Sequence, residues 1–215
     1  MKRSKLGVLL CALSIVLAAC MPTSNLAPSQ DDSVPRGKYD PPRIVSDFTL
    51  TNHDGQPMKL SGLRGKAVLM FFGYTHCPDV CPLTLARMKS VKDALGNAAD
   101  GVAFVMVSLD GARYTPEVMR KYVQSFDPSF IGLTGHEVRV RQIAKDYFLQ
   151  FNQQEVTVTA TPSNNTHEQT HDPSYLVMHT SYLYLLNRQG RWSIVYTAQT
   201  PTEIIAKDIQ QVLSE

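Results

Sequence analysis

Two stretches of the chain are continuously apolar, Ala67-Val68-Leu69-Met70-Phe71-Phe72 and Val102-Ala103-Phe104-Val105-Met106-Val107. Short runs of this kind predict strands covered on both faces, as in a parallel or mixed α/β sheet. Between them Leu85, Met88, Val91 and Leu95 recur at helical spacing, and Gly96 is placed to end that helix. A second helix is predicted from Thr115-Pro116, which suit the N-cap and first helical position, and it would bury Met119, Tyr122, Val123 and Phe126. A third opens with a capping box from Thr134 to Glu137 and continues along Val140, Ile143, Ala144, Tyr147 and Phe151. Thr180 to Leu186 and Trp192 to Thr197 read as a hairpin turned at Asn187-Arg188-Gln189-Gly190. The last helix, capped by Thr200, Pro201 and Glu203, buries Ile204, Ile205, Ile209, Val212 and Leu213.

Two segments fall outside that alternation. Phe48 to Leu60 reads as a hairpin turned at Asp54-Gly55. Asn152 to Ser174 is polar and too long for an ordinary connection, and it carries His167 and His171. Those histidines would share a face if the segment were helical and could then form a second metal site. Pro162, Pro173 and the Asn-rich run argue for a solvated loop instead. No internal repeat is visible.

The amino-terminal pattern is of another kind. Lys2, Arg3 and Lys5 precede an apolar stretch from Leu6 to Ala19, which reads as a secretory signal over residues 1–19, too short for a comfortable membrane span. Leu17-Ala18-Ala19-Cys20 has the form of a lipobox, so Cys20 is expected to become the lipidated first residue of the mature protein. An uncleaved hydrophobic anchor is the alternative, and both place the rest of the chain outside the cytoplasm, on a membrane. Met21 to Pro42 is rich in proline and polar residues and reads as a tether, so residues 20–42 anchor and 43–215 fold. As a coil, the 22 residues of that tether would span roughly 25 Å.

With 215 residues, 43% hydrophobic and 19% charged, the chain can bury one ordinary core. Its 21 Lys and Arg against 19 Asp and Glu become 18 against 19 once the signal's Lys2, Arg3 and Lys5 are removed. A near-neutral domain without a basic run argues against nucleic acid as the partner.

Cysteine use points to the chemistry. Cys11 leaves with the signal and Cys20 carries lipid, so Cys77 and Cys81 alone belong to the folded domain. A disulfide between residues four apart closes too small a loop to stabilise much, although the pair can bond when oxidised. The segment Gly73-Tyr74-Thr75-His76-Cys77-Pro78-Asp79-Val80-Cys81-Pro82 leaves a buried strand and enters a helix. Pro78 and Pro82 disfavour a regular helix through the cysteines, which predicts a turn presenting both sulfurs at a helix N-terminus. Amides there stabilise thiolate and make the pair reactive and ligand-competent, with His76 and Asp79 as neighbouring modifiers of opposite effect. Cysteines between the first buried strand and its helix, within this order of elements, give the fold class as α/β, thioredoxin-like. To this fold the sequence adds an extra N-terminal β-hairpin and a long polar loop before the C-terminal hairpin. Two intervening residues would suggest thiol-disulfide exchange, whereas the three present widen the bite towards a metal ion. Two thiolates and an imidazole suit Cu(I) and can hold Cu(II), while zinc would want a fourth ligand or a water.

At this motif the chain resembles the SCO/SenC family, whose pattern G-[FY]-T-H-C-P-D-V-C-P it matches at every position from Gly73 to Pro82. The resemblance runs from Val45 to the C-terminus and implies a membrane-tethered, thioredoxin-like copper protein that assembles cytochrome c oxidase. It also implies that His179, in Tyr175-Leu176-Val177-Met178-His179-Thr180, is the third copper ligand beside Cys77 and Cys81. Two positions depart from the family. Met178 stands where relatives usually have Asp, and Asp110-Gly111-Ala112-Arg113-Tyr114-Thr115 replaces Asp-Pro-x-x-Asp-Thr.

The resulting expectation is an extracytoplasmic copper chaperone, not an enzyme. It would be anchored through lipid and hold one Cu(I) or Cu(II) per domain. Its partners would be the oxidase subunit that carries the copper centre and other periplasmic copper or thiol carriers. The alternative is a thiol-disulfide reductase that keeps the oxidase's copper-ligand cysteines reduced, and a weaker third reading is a peroxidase.

Overall fold

The computed structural model of the protein describes residues 36–111, 113–155 and 175–215. The expected signal, Cys20, His167 and His171 lie outside the described residues.

The two apolar runs are strands β4 (Ala67–Gly73) and β5 (Val102–Ser108), and every residue of both is buried. They pair in parallel from Ala67 opposite Val102 to Gly73 opposite Ser108. Around them lie β1 (Arg36–Arg43), β2 (Thr49–Asn52), β3 (Pro57–Lys59), β6 (Ile131–Thr134), β9 (Leu183–Leu186) and β10 (Trp192–Tyr196), in the order β1-β10-β9-β4-β5-β6-β2-β3. Only the β4-β5 and β5-β6 pairings are parallel; the two hairpins add antiparallel strands at either side. This mixed sheet with its four helices is the predicted thioredoxin-like α/β fold. Strands β7 (Phe151–Glu155) and β8 (Tyr175–His179) form a separate antiparallel ribbon.

Helix α1 (Val80–Leu95) turns Leu85, Met88, Val91 and Leu95 into the core and stops at Gly96, whose φ of 54° suits a residue without a side chain. Helix α2 (Pro116–Gln124) has the predicted start, with the Thr115 hydroxyl accepting from the Val118 amide. Helix α4 (Thr202–Ser214) packs against α1 and buries Ile205, Ile209 and Val212. The turn between β9 and β10 is built on Asn187, whose side-chain oxygen accepts from the Gln189 and Arg191 amides.

Four local expectations are corrected. The capping box does not form: Thr134 ends β6 and donates its hydroxyl to the Tyr114 carbonyl, and α3 (Glu137–Asp146) starts after His136. Sheet pairing competes for Thr134 and wins. Thr200 likewise lies before α4, accepting from the Thr197 amide. Residues 36–42, read as tether, belong to β1, an edge strand that pairs only with β10 and whose register breaks between Lys38 and Arg43, where Pro41 and Pro42 stand. Edge strands tolerate proline because one side needs no donor. The polar residues 152–155, read as loop, form β7 by backbone pairing with β8, which leaves no hydrophobic alternation to find.

Candidate metal centre

Strand β4 ends on Gly73, where no side chain fits: a Cβ would lie 2.5 Å from the Phe71 ring and 3.0 Å from the Cys81 sulfur. The chain then turns through Tyr74, where the Cys77 amide donates back to the Tyr74 carbonyl, and α1 begins at Val80. Cys77 therefore sits in the turn, half-buried, while Cys81 lies inside the first helical turn and is fully buried. The prolines did not keep the helix from Cys81. Pro82 is in the first turn, where a missing N–H costs nothing.

That placement makes the sulfurs unequal. The Cys81 amide donates to the Cys77 sulfur at 3.4 Å. Cys77 is lowered to about 5, first by the hydrogen bond from the Cys81 thiol and then, against the cost of burial, by the amides of Asp79, Cys81 and Val80. Cys81 is pushed up, because its thiol is the donor in that bond, because it is buried, and because the Cys77 charge is adjacent. At neutral pH the pair is one thiolate sharing one proton.

His179, at the end of β8, brings its Nε2 to 3.9 Å from the Cys81 sulfur. Its Nδ1 lies 3.0 Å from the Thr180 carbonyl, which can only accept, so Nδ1 carries the proton and the Nε2 lone pair faces the sulfur. Burial lowers the imidazole below its ordinary range, opposed by the Thr180 bond and the Cys77 charge, so the ring is neutral at pH 7. The Phe71 and Tyr74 rings pack on it. Among the described residues no group of three His, Cys, Asp or Glu side chains is placed to hold a metal ion as it stands. The 3.9 Å between sulfur and nitrogen nevertheless matches the about 3.7 Å expected when a thiolate and an imidazole share a first-row ion at about 120°. Thiolate, thiol and neutral imidazole fit a soft monovalent ion.

His76 turns elsewhere. Its Nδ1 is 2.6 Å from the Tyr114 hydroxyl and its ring stacks on Tyr114. Met178, beside His179, is 56% exposed. Gly111 faces the Gly135 carbonyl so closely that a Cβ would lie 1.9 Å from it. The sequence did not single out Arg113, Tyr114 or Tyr175, yet each touches this end of the sheet. Asp110, 1% exposed, accepts from Arg113 and from the Tyr175 hydroxyl. No hydrophobic or motif spacing links residues 65 apart.

Comparison with known proteins identifies relatives of the chain. The family pattern SCO1/SenC matches residues 36–214. The human mitochondrial SCO2 homolog is 34% identical over 168 residues, covering 77% of this chain and 58% of that protein. A SCO2-like protein of Rickettsia conorii is 30% identical over 164 residues, covering 76% and 74%. Among solved structures, copper-bound ScoI of Bradyrhizobium japonicum superposes with a TM-score of 0.65 at 32% identity, over 79% of this chain and 99% of that one. Apo Sco1 of Thermus thermophilus gives 0.66 at 32% identity, over 81% and 94%. The chain belongs to the SCO1/SenC family.

Proposed function

We propose that the protein is a copper metallochaperone of the extracytoplasmic face, tethered by lipid on Cys20, which carries copper on Cys77, Cys81 and His179 for the copper centre of a respiratory cytochrome c oxidase. The observation that carries this reading is the meeting of the cysteine pair with the Nε2 lone pair of a neutral His179, 3.9 Å from Cys81. Copper bound to the related ScoI supports the choice of ion, and the lipobox at Leu17 to Cys20 supports the anchor. Among the described residues no helix is long and apolar enough to cross a membrane.

Copper is cargo here. Cu(I) takes the Cys77 thiolate first and displaces the proton of Cys81, and His179 completes a three-donor set that Cu(II) requires more than Cu(I) does. An external two-electron oxidant that joins the thiolate and the thiol as a disulfide, with loss of the remaining proton, consumes both sulfur donors, so metal and disulfide exclude each other. His179→Ala tests the ligand set. Cu(I) should remain on the two sulfurs while Cu(II) affinity falls, and unchanged Cu(II) spectra would remove His179 from the site.

A second reading draws on one observation. A Cys77 lowered to about 5 beside a protonated Cys81 is also how a thiol-disulfide reductase divides its nucleophilic and resolving sulfurs. Catalytic reduction of a disulfide substrate at a rate that one equivalent of copper leaves unchanged would favour it.

A further inference from the structure

His179 stands on a ribbon that shares no sheet hydrogen bonds with the strand leading to the cysteines. Among the described residues, strands β7 and β8 pair only with each other, and the sequence between them spans residues 156–174. Beside the short link from His179 to β9 and the Phe71 ring packed on it, side-chain contacts to the ribbon therefore help to fix the distance from His179 to Cys81.

Two arginines grip this ribbon, one at each end, by the same device. Arg113, in the segment after β5, lays its guanidinium 3.6 Å from the centre of the Tyr175 ring and donates to the Tyr175 carbonyl at 3.4 Å. Arg141, on α3, lies 4.2 Å from the Phe151 ring centre and donates to the Phe151 carbonyl at 2.9 Å. Tyr175 pairs with Glu155 at one end of the ribbon, and Phe151 pairs with His179 at the other. An acid holds each arginine: Asp110 pairs with Arg113 and also accepts from the Tyr175 hydroxyl at 2.7 Å, and Glu137 pairs with Arg141 at 2.7 Å. The Arg113 side chain is only 13% exposed, so its contacts are little weakened by water.

We propose that Arg113 and Arg141, with Asp110 and Glu137 behind them, are positioning residues that clamp the β7-β8 ribbon and thereby set the reach of His179 to the cysteine pair. The proposal rests on His179 serving as a copper ligand. Both clamps need the planar, forked guanidinium, because an ammonium keeps the charge and loses the ring stacking and the fixed direction of the donors. Replacement of groups that orient a metal ligand lowers metal affinity roughly 10- to 100-fold, and a similar effect is expected here for Cu(II), which depends on His179, but not for Cu(I), which two sulfurs retain.

The test compares Arg113→Lys, Arg141→Lys and the double variant with the wild type as reduced full-length protein. Amide hydrogen exchange over residues 175–179, measured without copper, should speed up at least about tenfold in the double variant while exchange in β4 and β5 is unchanged. Cu(II) affinity should fall in step and Cu(I) affinity should not. Tyr175→Phe, which keeps the ring beneath Arg113 and loses the bond to Asp110, serves where a lysine variant does not fold and should give a smaller change in the same direction. Unchanged exchange at the ribbon in the double variant, or in Tyr175→Phe where the former is not folded, overturns the clamp. Wild-type protein that takes up no copper would instead defeat the functional reading, and the exchange result would still decide the clamp.

Discussion

The backbone N–H of Cys81 points at the sulfur of Cys77 from 3.4 Å and adds to the side-chain bond that sets the two cysteines of one motif apart. Cys77 is lowered to about 5 chiefly by the Cys81 thiol, and Cys81 is raised chiefly by giving that bond.

Alkylation should read this inequality directly. Iodoacetamide reacts with thiolate, so an ordinary cysteine slows about tenfold for each pH unit below its pKa. In reduced, metal-free protein Cys77 should react at a nearly constant rate from pH 8 to 6 and at half that rate near the pH of about 5 where it takes up its proton. Cys81 should stay slow throughout. Peptide mass spectrometry after timed quenching resolves the two, and a tenfold fall at Cys77 between pH 8 and 7 would contradict the assignment.

Proton release on copper binding follows from the same inequality. At pH 7 Cys77 is already ionised, His179 is already neutral, and Cys81 still holds its proton. One Cu(I) should therefore release about one proton at pH 7, and more as pH falls through about 5 and Cys77 becomes protonated. A weakly buffered titration with an indicator dye measures the number, and two protons at pH 7 would mean that both thiols start protonated.

Gly73→Ala should disturb fold and site together. The new methyl would meet the Phe71 ring at 2.5 Å and the Cys81 sulfur at 3.0 Å, and Phe71 is fully buried and cannot swing out. Overpacking of this kind costs about 1–3 kcal/mol, which thermal unfolding of the reduced protein would register as a lower Tm. An unchanged Tm would mean that the turn shifts freely, against the close packing described for it.

What the sequence made legible was whatever repeats or punctuates. The two buried strands, the Leu85 to Leu95 stripe, Thr115-Pro116 and the Asn187 to Gly190 turn all follow from local rules, and the cysteine motif marked the candidate site. What it hid was decided by partners distant in sequence. Thr134 satisfies a capping pattern yet serves β6 and Tyr114 instead, and β7 is polar because it needs only β8's backbone. Arg113 and Arg141 look like ordinary surface charges until Tyr175 and Phe151 are brought under them. His179 became a candidate only through family resemblance, since an isolated histidine near an apolar strand carries no spacing signal.

Anchoring should depend on one sulfur. Cys20→Ser should block cleavage before residue 20 and leave a precursor without lipid mass, whereas the parent should show a modified Cys20 at its N-terminus. Identical mass and N-terminus in the two proteins would defeat the lipid tether while leaving the metal centre untouched.

The central claim is that the two sulfurs and His179 exist to hold copper, and protection of those sulfurs tests it most directly. Reduced protein would be alkylated under anaerobic conditions at pH 7 with and without one equivalent of Cu(I), and Cys77 and Cys81 scored separately. Protection of Cys77 at one equivalent, from fast to slow, is the predicted result, with Cys81 slow in both samples. Equal alkylation of Cys77 in the two samples would contradict copper carriage and leave thiol exchange as the better account of the site.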